Sequence, residues 1–494
     1  MSHSTSQLPV VVIGGGPVGL AAAAHLMQRG LRPRVLEAGD GPAANLEGYR
    51  HVRLFSPWRY DIDRAARSLL EAEGWREPDL DALPTAGEIV HRYLLPLARL
   101  PAMAPNIRYG SRVTQLTRAG FDKVKTSGRE RAPFVVRYLS GGEEHEILAS
   151  AVIDAAGTWN QPNPLGANGL PGLGESANAA HIAYGMPDFL GRDRARYAGK
   201  RVLVVGAGHS AAGNLIALAE LAQMEPGTRL AWAIRGSNFV RIFGGGDADG
   251  LPARGALGQR LKALKEAGRL ELHEDFRIRE VRSKGGTVEV IGEGGKTIAG
   301  VDEIVAATGA RPNLAIASEL RVKLDPWLES TELLAPLIDP SEHSCGTVRP
   351  HGHRELAHPE PGYYAVGAKS YGRAPNFLMA TGYEQVRSVV AALAGDTQAA
   401  DDVQLELPQT GVCSASFPSA KGADTAAGCC GGPAIADSTA CCAEDESAKA
   451  KGEAGCGCGA APVPLKLPEP GSAKGCCGPA KATQGEAVTR RACR

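Results

Sequence analysis

The sequence predicts an α/β chain on three observations: a strand, glycine-rich turn and helix over residues 10–29, a second such unit starting at residue 201, and a loss of patterned hydrophobicity after residue 396. Val10 to Ile13 is a continuous apolar run ending in Gly14-Gly15-Gly16-Pro17-Val18-Gly19, with an alanine-rich helical stretch behind it to Arg29. Arg34 to Leu36 reads as the next strand, closing on Glu37. Helices are expected over Ile62 to Glu73 and from Thr85, where Thr85 and Glu88 make a capping box ahead of Ile89, Val90 and Tyr93. From Ile107 to Leu148 short alternating runs, clearest at Phe134 to Tyr138, predict a small antiparallel sheet set into the larger body. Ala151 to Asp154 is a further strand leading to Gly157, and the Pro/Gly-rich stretch 161–174 marks a domain boundary near residue 165.

The second unit has its strand at Arg201 to Val205, its helix at His209 to Leu221 and its next strand at Leu230 to Ile234, and it closes on Ile304 to Ala307 with Thr308-Gly309. Tyr363 to Val366 is a strand ending in Gly367, and a long helix runs from about Gly382 to Leu393. From Thr397 the chain turns to Ala, Gly, Ser, Lys and Pro, which bury too little apolar surface to offset chain entropy, so 397–494 is expected to be a disordered tail.

A chain of 494 residues should hold two or three domains. Lys plus Arg equals Asp plus Glu at 54 each, so no net field draws it to nucleic acid or an anionic membrane, and a small molecule is the expected partner. The first residues lack a basic segment followed by an apolar one, and later apolar runs are short and interrupted by charge, so a soluble cytoplasmic protein is expected. Of eleven cysteines only Cys345 precedes residue 413, which leaves the body without a disulfide framework.

The first turn has the spacing GxGxxG: Gly14 for the tight turn, Gly16 for close approach of backbone to a pyrophosphate, Gly19 for packing of helix on strand, and Pro17 in the helix's first turn. Helix N–H groups and the dipole then face the phosphates. Glu37, at the end of the next strand, stands where a carboxylate accepts from ribose hydroxyls. Gly206-Ala207-Gly208-His209-Ser210-Ala211 repeats the geometry with alanine in the third small position. Its following strand ends in Arg235 where a carboxylate would otherwise stand. A guanidinium there grips a 2′-phosphate and favours NADPH; the plainer alternative is a surface arginine. Two Rossmann-like dinucleotide-binding domains in one chain imply hydride transfer from nicotinamide to flavin, hence FAD and NADPH as cofactors.

The first turn, Asp-Ala-Ala-Gly-Thr-Trp at 154–159, Val-Val-Gly-Ala-Gly-His-Ser-Ala at 204–211 and Ala-Thr-Gly-Ala-Arg-Pro-Asn at 307–313 resemble the flavin-containing monooxygenases and their Baeyer–Villiger relatives, over roughly residues 8–395. The resemblance implies an FAD domain of residues 1–165 and 311–396 with an NADPH domain, 166–310, inserted in it. It further implies flavin contacts at Gly157, at Thr308-Gly309 where the chain returns, at Gly367, and at Gly382 in the next helix. Arg53, Ser56 and Trp58 are placed along the flavin edge, with core filling as the alternative for Trp58. The family often has aspartate after the glycine at 367; here Ala368 stands there. The segment from His181 to Asp188 lacks the phenylalanine and tryptophan of the monooxygenase fingerprint, so Baeyer–Villiger activity is not inferred.

A disulfide reductase of this kind would carry a CxxC pair in its body, and none precedes residue 413. By elimination and by resemblance, oxygen is the expected acceptor, giving a C4a-(hydro)peroxyflavin attacked by a soft nucleophile. The tail carries Cys429-Cys430, Cys441-Cys442, Cys456-Gly-Cys458 and Cys476-Cys477, with Cys413 and Cys493 outside the pairs. Vicinal thiolates suit a thiophilic centre, and the spacing is not that of zinc modules; an inert low-complexity tail is the alternative. Such tails resemble those of proteins encoded in arsenic-resistance operons, and the chain is similar to their arsenical flavin monooxygenases, which oxidise trivalent arsenicals to pentavalent forms. N- or S-oxygenation of another soft nucleophile, and metalloid sequestration with a vestigial flavin, are the competing readings. Inside the body, His343, Cys345, His351, His353 and His358 form a sequence cluster. Either Cys345 captures an arsenical while His351 or His353 manages protons, or this is a Pro/Gly-rich loop with incidental histidines.

Overall fold

β1 (Val10–Ile13) is buried along its length, as an apolar run flanked by strands on both sides requires. The computed structural model describes residues 8–237, 239–243, 252–343, 348–405 and 451. Following the chain, β1 leads through the first glycine turn into α1 (Pro17–Gln28), then β2 (Pro33–Leu36), α2 (Arg64–Ala72) and β3 (Ile107–Arg108). Asp63 caps α2 by accepting from the Ala66 N–H, and the box expected at Thr85 and Glu88 forms in both directions. The antiparallel meander β4 (Ser111–Arg118), β5 (Phe134–Ser140) and β6 (Glu143–Ala149) follows, and the chain returns through β7 (Ala151–Asp154).

After the 161–174 connection come β8 (Ile182–Tyr184), β9 (Arg201–Val205), α3 (His209–Met224), β10 (Arg229–Ala233), α4 (Pro252–Glu266) and β11 (Glu271–His273). A second antiparallel sheet, β12 (Ile278–Lys284), β13 (Thr287–Gly292) and β14 (Thr297–Val301), precedes β15 (Glu303–Ala306). Its residues went unassigned in the sequence, where Gly285-Gly286 and Gly294-Gly295 break the alternation into short pieces. β16 (Tyr363–Ala365), α5 (Met379–Leu393) and α6 (Thr397–Asp401) complete the body.

Two five-stranded parallel sheets result, ordered β16-β7-β1-β2-β3 and β11-β10-β9-β15-β8. The second lies wholly within the chain interval between β7 and β16, so one α/β unit is inserted in the other. Register fixes what meets at each carboxyl edge. Ile13 pairs with Leu36 and Asp154, and Ala365 pairs with Asp154, which lines up Gly14, Glu37, Ala155 and Val366. In the second sheet Val205 pairs with Ala233 and Ala306, lining up Gly206, Ile234 and Ala307. Such edges are where open α/β sheets take ligands.

The expected start of the tail at Thr397 is corrected. Asp396 caps α6 through the Ala399 N–H, Ala400 is buried, and Arg354 holds Asp401 with two bonds of 2.8 and 2.6 Å. Charge pairing and one buried alanine order a segment whose composition alone predicts coil. Cys345 and the tail cysteines Cys413, Cys429, Cys430, Cys441, Cys442, Cys456, Cys458, Cys476, Cys477 and Cys493 lie outside the described residues. No described helix is long and apolar enough to cross a membrane.

Candidate active site

Gly14 has φ +95°, in the left-handed region that a side chain disfavours, and a Cβ there would sit 2.8 Å from the Ala155 carbonyl oxygen. A Cβ on Gly19 would sit 2.0 Å from the Gly14 oxygen, so α1 lies directly on its own turn. Over Gly16, by contrast, there is open space. Gly16 is the N-cap of α1 and supplies no side-chain acceptor, with Pro17 next. First-turn N–H groups that face an open cradle fit a pyrophosphate. Glu37 closes the turn from the side: its carboxylate accepts from Gly15 N–H at 2.5 Å and from Gly39 N–H at 2.7 Å.

Gly157 (φ +66°) follows β7 beside this turn. Gly367 (φ +67°) lies against Val18 of α1, and a Cβ on Gly382 of α5 would approach Val18 Cγ2 to 2.6 Å. Four separate stretches of chain therefore meet at the head of α1. Beneath them Asp154, Tyr363 and Lys369 are buried together. Lys369 Nζ and Tyr363 Oη both donate to Asp154 Oδ2, at 2.5 and 3.1 Å, and burial beside that carboxylate raises the Tyr363 phenol well above its ordinary range.

The second turn is built alike. A Cβ on Gly206 would lie 2.3 Å from the Ala307 oxygen, Gly208 caps α3 with open space above it, and residues 207–210 are exposed. Arg235 is exposed two residues beyond β10, and among the described residues no ion pair engages it. His209 stacks edge-on against Phe55, ring centroids 5.5 Å apart, so the stretch expected along the flavin edge reaches the second nucleotide turn through Phe55. Of its neighbours, Arg53 is exposed and donates to the Leu83 carbonyl, while Ser56 donates to Asp61 Oδ1 at 2.8 Å. Trp58 is 1% exposed within the hydrophobic core; the plainer alternative is the one the packing favours.

Thr308 and Gly309 serve the crossing between the units. Thr308 Oγ1 donates to the Asn163 carbonyl at 2.5 Å, Asn163 N–H donates back to Gly309 O, and Arg311 Nε donates to Asn163 Oδ1 at 2.9 Å. The Thr308 hydroxyl is thereby committed to the partner strand of the linker.

The histidines do not form a cluster. His351 is buried, bonded to the Arg349 carbonyl and to Gln385 on α5. His353 turns to Ser388 and Asp401. His343 meets the Pro336 carbonyl, and His358 accepts from Lys323 N–H, with burial holding it at about 4. Of the two histidines expected to manage protons, His351 has both Nδ1 and Nε2 engaged, and His353 is held by Ser388 and Asp401. Among the described residues no three His, Cys, Asp or Glu side chains are placed to hold a metal ion.

Asp61 went unmarked in the sequence. It is fully buried, Ser56 binds one oxygen, the other has no partner among the described residues, and burial pushes the carboxyl up to about 8. Gln385, also fully buried, was equally unmarked, since with Glu384, Arg387 and Ser388 beside it a polar residue there reads as an exposed helix face.

The model of the pyridine nucleotide-disulphide oxidoreductase family matches residues 11–344. The chain belongs to this family. It is a flavoprotein oxidoreductase that uses FAD and a pyridine nucleotide, and the two open glycine cradles fit those two groups. Among curated proteins it is 30% identical to one component of the opine oxidase of Agrobacterium tumefaciens over 174 residues, 35% of this chain and 28% of that one. To the indole-3-pyruvate monooxygenase YUCCA1 of Oryza sativa subsp. japonica it is 31% identical over 209 residues, 40% of this chain and 42% of that one. The chain thus spans less than half the length of either relative. The bacillithiol disulfide reductase Bdr (YpdA) from Bacillus cereus shares the fold at a TM-score of 0.58 and 18% identity, over 78% of this chain and 99% of that one.

Proposed function

We propose that this oxidoreductase is an NADPH- and O2-dependent FAD monooxygenase of the cytoplasm that oxidises trivalent arsenicals to pentavalent forms. The observation that carries the choice of acceptor is the thiol inventory: Cys345 is the single cysteine ahead of residue 413, so the body has no CxxC pair through which to pass electrons to a disulfide. Kinship over part of the chain with an indole-3-pyruvate monooxygenase supports the same choice. Arg235, exposed beyond β10, supports NADPH over NADH. The four cysteine pairs between 429 and 477 support arsenic, because adjacent thiolates bind trivalent thiophilic centres.

Bound FAD would accept hydride and deliver oxygen; the chain supplies position. The first-turn N–H groups of α1 and the open face of Gly16 hold its pyrophosphate, and Gly367 and Gly382 let backbone and α5 close on it. The turn at Gly206–Ser210 holds the second nucleotide, and Phe55 meets that turn at His209. The test is NADPH consumption with arsenic product analysis, under air and under nitrogen. Oxidised arsenic formed in air alone, with consumption stimulated by organoarsenicals and not by amines or thioethers, is expected. Equal product under nitrogen, or stimulation by amines or thioethers instead, would sink the reading.

A further inference from the structure

Gln385 makes three bonds whose polarity leaves it one orientation. Its Oε1 accepts from Gly367 N–H at 2.7 Å, and its Nε2 donates to Ser370 Oγ at 3.0 Å and to His351 Nε2 at 2.9 Å. Ser370 in turn donates to the Gly367 carbonyl at 2.8 Å. An amide nitrogen has only hydrogens to offer, so His351 Nε2 must be the bare acceptor. The other ring nitrogen, 2.9 Å from the Arg349 carbonyl, must carry the proton. Gln385 and His351 are both buried, away from bulk solvent.

This arrangement tolerates only a neutral imidazole. A proton on Nε2 would point at the Gln385 NH2 group, donor against donor. If the amide stayed put, a buried cationic donor would go unpaired, which costs more than an ordinary lost hydrogen bond. If the amide turned over to offer Oε1 to His351, its NH2 would face Gly367 N–H and Ser370 would lose its donor. Protonation of His351 and the hold of Gln385 on Gly367 therefore exclude each other.

We propose that Gln385 is the positioning residue for the flavin-side peptide of Gly367, and that it makes FAD retention conditional on a neutral His351. The inference rests on the reading that Gly367 lies against FAD. The titratable groups facing His351 are Glu355 on its own segment, Glu384 on α5, which Arg387 holds at 2.7 Å, and the Tyr371 ring, whose centroid lies 5.6 Å away. The two carboxylates favour the imidazolium; burial outweighs them and keeps His351 below the ordinary histidine range. A depressed histidine contributes stability above its unfolded pKa and loses it as pH falls, so release belongs to the acid side.

The test is FAD dissociation from the full-length holoprotein between pH 8 and pH 5, read by the fluorescence of released flavin. The expected parent behaviour is tight retention near pH 8 and a dissociation constant rising about tenfold per pH unit once below the His351 pKa. His351→Gln offers a non-titrating amide near the position of Nε2, and the acid limb is expected to vanish with retention at pH 8 unchanged. Gln385→Glu can accept from Gly367 N–H and from an imidazolium together, so acid should tighten retention, a reversal of sign that a merely structural role would not produce. Gln385→Leu should weaken retention at every pH. An acid limb persisting in both His351→Gln and Gln385→Glu overturns the coupling while leaving Gly367 at the flavin. Parent-like retention in Gln385→Leu at pH 8 overturns the placement of Gly367 itself.

Discussion

The two glycine turns start from the same strand, turn and helix, and they are finished in opposite ways. Around Gly14 the chain adds Glu37, Gly157, Gly367 and Gly382 of α5, so that four stretches of chain meet at the head of α1 around the open face of Gly16. Around Gly206 residues 207–210 stay exposed, and Arg235, also exposed, follows the next strand. An enclosed site suits a resident cofactor and an open one suits a nucleotide that comes and goes, since each added contact slows dissociation. The same supersecondary unit thus stands in two different surroundings.

Gly19→Ala should strike hardest at the enclosed site. Its Cβ would meet the Gly14 carbonyl at 2.0 Å, backbone against backbone, with no flexible side chain to give way. The purified variant is expected to carry little flavin by the ratio of visible to ultraviolet absorbance; a fully yellow protein would break the comparison. Gly206→Ala meets the Ala307 oxygen at 2.3 Å from a backbone at φ +137°. Strain of about 1–3 kcal/mol there corresponds to roughly fivefold to 150-fold weaker nucleotide binding. FAD content should be unchanged, and joint loss of both cofactors would show the sites to be less separate than drawn. Arg235→Ala should raise the NADPH KM about tenfold, the value of one charge-assisted bond, and leave the NADH KM near its parent value. Equal shifts for both nucleotides would remove Arg235 from the phosphate.

A different effect is on stability. Burial raises Asp61 to about 8, so between the ordinary carboxylate range and pH 8 the folded chain keeps a proton that the unfolded chain has released. Stability from this group is therefore greatest in acid and is lost as pH rises towards 8. Asp61→Asn keeps an acceptor for Ser56 and removes the titration. It should melt at higher temperature than the parent at pH 8, with the gap closing towards pH 4; an unchanged gap across that range would show that Asp61 does not titrate as its burial implies.

Much of this organisation was legible in the residues. β1, β7 and β9 sit where short, mostly apolar runs led into glycine turns, because a strand covered on both faces buries most of its side chains. The capping box at Thr85 and Glu88 formed because both of its partners are local. β12 to β14 were not legible, since a three-stranded meander with glycine turns depends on its mates more than on the pattern of any one strand. The histidines at 343–358 looked like one group because they are close in sequence, and they separated because the loop sends each side chain to a different element.

By itself the sequence determined the two strand–turn–helix units, because glycine spacing acts within a few turns of chain. It also determined the uneven placement of thiols. Tertiary structure alone decided that Trp58 is core, that Thr308 belongs to the linker, that Asp61 is buried, and that Gln385 stands between His351 and Gly367. Each of those depends on segments tens to hundreds of residues apart being brought within a hydrogen bond's reach, and no local pattern encodes which partner will arrive.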